Sequence, residues 1–84
     1  RLGLHVRGET MRLTPVIPGW WDGFQMSYRH GEAVYEIQVE NPEHCERGTS
    51  WVQMDGRRMT GGLIPLGRDS VKHRIVVRMG NPDS

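Results

Sequence analysis

Trp20 and Trp21 are the residues of this chain best suited to a binding task. Adjacent indoles in a segment bounded by Pro18, Gly19 and Gly23 can form a platform for the apolar C–H faces of a sugar. The same pair can serve packing, with one indole plugging an end of the fold and the other pressed on a neighbouring domain. A thin-cored chain needs large aromatics to bury area, which favours packing. Tyr28 and Arg29 join the tryptophans as candidate contacts to a sugar or a domain.

Bond-breaking groups are harder to find. Glycosidic hydrolysis needs two carboxylates across a defined gap. The chain has ten acids, but Glu36 and Glu40 alternate with apolar neighbours and read as solvent-face residues. Asp22 follows Trp21, where an aromatic neighbour could raise its pKa, yet Asp22-Gly23 also reads as a turn pair. His44 and Cys45 are sequence neighbours, so on a strand they would face opposite ways; after Asn41-Pro42 they read as a surface loop rather than an activated thiol. His5, His30, His44 and His73 lack metal-ligand spacing. Gly61-Gly62 has no following Lys-Ser or Lys-Thr and is no phosphate loop. The expectation is no catalytic residue, no metal and no cofactor.

The elements that position these residues are strands. Phe24, Met26 and Tyr28 alternate with Gln25, Ser27 and Arg29, and Tyr35, Ile37 and Val39 alternate with Glu36, Gln38 and Glu40. His30-Gly31-Glu32 between them makes a hairpin. Asp55-Gly56, between Trp51–Met54 and Arg57–Met59, suits a tight turn in which both central residues take positive φ. Gly8-Glu9 joins Leu4–Arg7 to Thr10–Leu13, and Lys72–Met79 places Ile75, Val77 and Met79 on one face. About six or seven short strands predict an all-β fold, a small antiparallel β-sandwich or jelly-roll-like domain. Arg1–Leu4 is the one stretch that reads as the remnant of a preceding helix.

Composition bounds the rest. Eighty-four residues make one domain, 1–84. Leu, Ile, Val and Phe supply 18 residues, near the ~20% level where disorder threatens, but a net charge of +1 limits self-repulsion and five Met, three Trp and two Tyr add apolar bulk. Eleven Lys/Arg interspersed with ten Asp/Glu make no basic patch, so no nucleic-acid partner is expected. Cys45 is the lone cysteine, which excludes an internal disulfide. No apolar run is long enough to span a membrane. The start at Arg1, in mid-pattern, points to a piece of a longer polypeptide.

The run from Leu2 to Phe24 has a further pattern. Gly3-Leu4, Gly8, Met11-Arg12-Leu13, Pro15, Ile17-Pro18 and then Trp21, Gly23 and Phe24 resemble the C-terminal end of cyclic β-1,2-glucan synthases and related cellobiose- and chitobiose-phosphorylase-like enzymes. Met11 stands where that pattern has Leu, and Trp20 is an additional aromatic. Tyr28-Arg29, Tyr35-Glu36-Ile37, Val39, Asn41-Pro42 and Asp55-Gly56 extend the likeness over roughly residues 3–80. The resemblance implies a small β-sandwich that follows a catalytic (α/α) barrel. It implies that the acid catalyst and phosphate-contacting motif lie in that barrel, so no catalytic residue transfers to this chain. It also implies a parent enzyme at the inner membrane, with this soluble domain on the cytoplasmic side.

Three functional expectations follow. The first is a non-catalytic structural cap on the barrel, with an apolar patch near Leu2, Leu4, Ile17 and Trp20. The second is a carbohydrate-binding module contacting β-glucan through Trp20, Trp21, Tyr28 and Arg29. The third is an oligomerisation module using an exposed sheet edge.

Overall fold

A computed structural model describes residues 2–59, 62–67 and 71–80. It contains β1 (Leu2–Arg7), β2 (Thr10–Pro15), β3 (Gly23–His30), β4 (Ala33–Glu40), β5 (Thr49–Met54), β6 (Arg57–Arg58), β7 (Leu63–Pro65) and β8 (Lys72–Met79). Two sheets form from them, one in the order β1-β2-β7 and one in the order β3-β4-β8-β5-β6. The all-β expectation holds.

Alternation decides which side chains lie between the sheets. In β2, Met11, Leu13 and Pro15 are buried while Thr10, Arg12 and Thr14 are exposed. Ala33, Tyr35, Ile37 and Val39 of β4 and Ile75, Val77 and Met79 of β8 are buried from the other sheet, joined by Val52, Ile64, Leu66 and Ile17. Each aliphatic side chain so buried contributes roughly 1.5–3 kcal/mol, which makes β4 and β8 the energetic centre. Three strands do not cover five, and the inward residues Phe24, Met26 and Tyr28 of β3 stay half-buried against the core.

The hairpins lie where the turn residues place them. Gly8 and Gly31 have φ near 62°, and Asp55 and Gly56 have φ of 52° and 85°. Both residues of the Asp55-Gly56 turn therefore take positive φ, as a two-residue hairpin with right-handed strand twist requires.

Two features differ from the sequence-based expectation. The larger sheet is mixed rather than antiparallel: β4 and β8 run parallel, from Val34↔Lys72 to Glu40↔Arg78. Between them in sequence come β5 and β6 of the same sheet and β7 of the other sheet. β8 is then inserted between β4 and β5, antiparallel to β5. The second difference is at the start. Leu2–Leu4 are strand, not the tail of a helix, and pair with Leu13–Pro15. A Cβ at Gly3 would overlap the side chain and carbonyl of Thr14, so this glycine permits the close pairing. Arg1 lies outside the described residues, as does Gly61.

The β5–β6 turn is fastened to β8. The Asp55 amide donates to the Arg74 carbonyl at 2.8 Å. The Arg74 amide donates to Asp55 Oδ1 at 2.8 Å, and His73 Nδ1 lies 2.7 Å from Asp55 Oδ2. The His73 ring stacks on Tyr35, centroids 5.1 Å apart, and the Tyr35 hydroxyl accepts from the Gly67 amide at 2.9 Å. One chain of contacts thus links the β5–β6 turn, β8, β4 and the exit of β7.

The Arg74 amide, then His73, hold the Asp55 carboxyl below the usual carboxylate range. A native pKa depressed below the unfolded value contributes stability that is present above the unfolded pKa of about 3.9 and is lost as pH falls through the native one. Asp55→Asn, which still tolerates positive φ, should remove this dependence. Melting temperatures of the two proteins should differ at neutral pH and converge as pH is lowered below about 4; a gap that persists undiminished in acid would contradict the assignment.

Candidate functional site

The segment that carries the tryptophans, residues 16–22, is laid against residues 41–47. Val16 bridges to Arg47, and the Ile17 amide donates to the Glu46 carbonyl at 3.0 Å. The Trp21 amide donates to the Pro18 carbonyl at 3.0 Å, closing a turn with Gly19 and Trp20 at its centre. A Cβ at Gly19 would stand 3.1 Å from the His44 carbonyl oxygen, tighter than ordinary contact. Gly23, at φ 145°, passes so close to the Val39 carbonyl that a Cβ would overlap it. Glycines at these two positions let the loop lie flat on its neighbours.

Asn41 is the centre of this arrangement. It is fully buried at the end of β4. Its Nδ2 donates to the Trp21 carbonyl at 3.0 Å and to the Cys45 carbonyl at 2.8 Å, and its Oδ1 accepts from the Cys45 amide at 2.9 Å. Its own amide donates to the Asp22 carbonyl at 2.8 Å, and its carbonyl accepts from the His44 amide at 3.2 Å. One side chain satisfies three backbone groups on two loops, as a buried amide must. His44 takes positive φ, 52°, to complete the turn.

This scaffold holds the indoles outward. Trp20 is 79% exposed and Trp21 36%. Their ring centroids lie 6.0 Å apart with planes at 78°, and Trp21 meets Phe24 edge-on at 6.3 Å. Trp20 thus meets Trp21 edge-on, and Trp21 in turn meets Phe24. Asp22 Oδ1 lies 2.9 Å from His44 Nε2 on the open surface, where an ion pair contributes little. Asp22 is a loop residue and His44-Cys45 form a loop, as their sequence context suggested. The Cys45 thiol lies 4.0 Å from the Glu43 carbonyl rather than against a histidine.

Tyr28 and Arg29 are not brought to the tryptophans. They lie near the far end of β3, whose eight residues extend for about 25 Å, and they point to opposite faces. Tyr28 packs on the core and stacks on His30 at 6.4 Å, while Arg29 is exposed. The expected apolar patch also changes. Ile17 is buried and Leu4 half-buried, and the side chain of Leu2 lies outside the described residues. Of the expected patch residues whose side chains are described, Trp20 alone is fully presented.

Sequence reasoning missed Trp51. It stands on the outer face of the larger sheet, with the guanidinium of Arg58 4.9 Å and that of Arg78 5.0 Å from its ring centre. Arg78 Nη2 donates to Glu40 Oε1 at 2.8 Å, so a Glu40–Arg78–Trp51–Arg58 ladder crosses four strands. Alternation from Val52 outward would have revealed the face of Trp51; only strand order reveals its neighbours. Among the described residues, no group of three or more His, Cys, Asp or Glu could hold a metal ion, and no helix is long and apolar enough to cross a membrane.

Comparison with characterised proteins gives a consistent set of relatives. The chain is 32% identical over 76 residues to an N,N'-diacetylchitobiose phosphorylase of Vibrio proteolyticus, covering 90% of the chain and 10% of that protein. It is 30% identical over 64 residues to a 3-O-beta-D-glucopyranosyl-beta-D-glucuronide phosphorylase of Paenibacillus borealis, covering 76% and 8%. A solabiose phosphorylase of the same organism is 29% identical over 80 residues, covering 93% and 10%. No family model matches the chain. The chain therefore spans about a tenth of the length of the curated relatives it matches. It is similar in sequence to glycoside phosphorylases, a relationship to carbohydrate-active enzymes.

Replacing Asn41 by Leu should test the scaffold. It strands the Trp21 carbonyl and both backbone groups of Cys45, at a cost of about 2–4 kcal/mol. Chemical denaturation should show that loss, with a shift in tryptophan emission below the transition. An unchanged midpoint would mean that the loops hold without the side chain.

Proposed function

We propose that this chain is a non-catalytic accessory β-domain of a glycoside phosphorylase-like enzyme, docked on the rest of that protein through the Trp20-Trp21 loop. The observation that carries this reading is an indole 79% exposed at the tip of a loop fastened from beneath. Covering that surface would contribute on the order of 4 kcal/mol, from ~150–250 Å² of aromatic area at ~25 cal/mol per Å². A fastened loop loses little conformational entropy on docking, so most of that gain is retained. The partner in this reading is the catalytic (α/α) barrel of the same parent, which carries the acid catalyst and the phosphate site.

Sugar binding by the same loop has less support. Indoles with planes at 78° offer no shared flat platform for an extended glycan, and Tyr28 and Arg29 lie too far along β3 to complete one. A cyclic β-1,2-glucan synthase, at the inner membrane with this domain on the cytoplasmic side, is a second branch for the parent. The similarity to phosphorylases favours the first branch.

The test is a chimera. This chain replaces the matched segment of the Vibrio proteolyticus N,N'-diacetylchitobiose phosphorylase. The chimera should be soluble and active, and Trp20→Ser should lower its melting temperature while changing the isolated chain by no more than ~0.5 kcal/mol. A Trp20→Ser chimera as stable as its parent chimera would contradict docking through this loop. A saturable tryptophan fluorescence change of the isolated chain with millimolar oligosaccharide would favour sugar binding instead.

A further inference from the structure

The two outer strands of the five-stranded sheet differ in character. β6 is two residues long and both are Arg, which blunts that edge. β3 forms the other edge and pairs with β4 through eight consecutive residues, from Gly23↔Glu40 to His30↔Ala33, without a bulge. Its far side has no partner strand among the described residues. No Lys, Pro or acidic residue interrupts Gly23–His30, so the usual guards of an edge strand are missing. The described residues next to 60–61, 68–70 and 81–84 are anchored away from this edge. The Met59 amide donates to the Val52 carbonyl, the Gly67 amide to the Tyr35 hydroxyl, the Val34 amide to the Val71 carbonyl and the Gly80 amide to the Gly48 carbonyl.

Three contacts fix which backbone groups of β3 face the open side. The Asn41 amide donates to the Asp22 carbonyl at 2.8 Å, one step before Gly23↔Glu40, so the hydrogen-bonded pairs of this ladder fall at the even-numbered residues of β3. The two-residue turn Gly31-Glu32 closes on a bonded pair at His30 and Ala33, in the same phase. The Val34 amide, opposite Arg29, turns away from β3 to Val71. Phe24, Met26, Tyr28 and His30 therefore direct their backbone groups to β4, while Gly23, Gln25, Ser27 and Arg29 direct theirs outward. Side chains alternate with the same period. Phe24, Met26 and Tyr28 lie half-buried on the inward face, and Gln25, Ser27 and Arg29 are exposed on the outer one.

We propose that β3 pairs with β3 of a second copy of this chain, antiparallel about a two-fold axis at Met26, and joins the two larger sheets into one. Such a pairing sets inward residues opposite inward residues. The register centred on Met26 matches all three apolar side chains with one another: Met26 meets its own counterpart, and Phe24 meets Tyr28 of the second copy. On the outer face Gln25 meets Ser27, and Arg29 meets Gly23, so the arginine faces no like charge. A centre at Ser27 would set Phe24 against His30, and a centre at Gln25 would set Tyr28 against Asp22. The outward backbone groups of each copy find their partners on the other. The contact uses the same surface on both copies and closes at two. It does not involve Trp20, and so extends beyond docking through the indole loop.

Sedimentation equilibrium over a range of concentrations tests the pairing, and the apparent mass should rise towards that of two chains. Gln25→Lys combined with Ser27→Lys sets lysines opposite each other at two places across the axis and should weaken association at least about tenfold. Gln25→Glu combined with Ser27→Glu should do the same alone, and an equimolar mixture of the two double variants should restore the dimer. Both positions are exposed, so the variants keep the fold, and restoration on mixing separates lost pairing from lost structure. A single-chain mass at every concentration, a dimer indifferent to the lysines, or a mixture that stays monomeric would overturn the proposal. A dimer lost with Trp20→Ser would assign self-association to the indole loop and overturn it equally.

Discussion

A primary amide without contact to water must find partners for its own donors and acceptor, and Asn41 finds them on two separate loops. That constraint ends β4, sets the path of residues 42–46 and fixes where the chain enters β3. Moving either loop would leave a buried polar group unmatched, at a cost of about 1–3 kcal/mol each. The exposed indole of Trp20 is the consequence. It sits on a surface whose geometry is set by hydrogen bonds beneath it, not by its own packing.

The sandwich behind this loop is unequal. Tyr35, Ile37, Ile75 and Val77 lie at the centre of the five-stranded sheet and are essentially without exposure, so the parallel β4–β8 pair carries the core. Its outer face is held by a different chemistry: Glu40 pairs with Arg78, Arg78 lies over Trp51 and Arg58 covers the same ring. That ladder ties the two-residue strand β6 to the sheet, because β6 has too few backbone pairings to hold itself. At the other end of the β5–β6 turn, Asp55 does the same through Arg74 and His73.

What was legible in the residues was local. Period-two alternation located the strands, and Gly8, Gly31 and Asp55-Gly56 located the turns, because positive φ leaves a mark on residue choice. The parallel pairing of β4 with β8 was not legible, since nothing in either strand records which neighbour it will meet after a long excursion. Asn41 was visible only as a strand stop before Pro42; its burial arises when two distant loops close over it. Tyr28 and Arg29 stood with the tryptophans as candidate contacts, and their opposite faces were legible from the alternation; what separates them from the loop is the length of β3, which advances over 3 Å per residue. Trp51 passed unnoticed because its significance depends on Arg78, which strand order places directly opposite.

The claim that Asn41 fastens both loops is open to direct measurement by native-state hydrogen exchange. The amides of Cys45, Trp21 and Ile17 should be protected, and those of Cys45 and Trp21 should share one opening free energy, since the same side chain binds Cys45 and the Trp21 carbonyl. Exchange of the Cys45 amide at the rate of an unstructured peptide, with β4 and β8 still protected, would contradict the account.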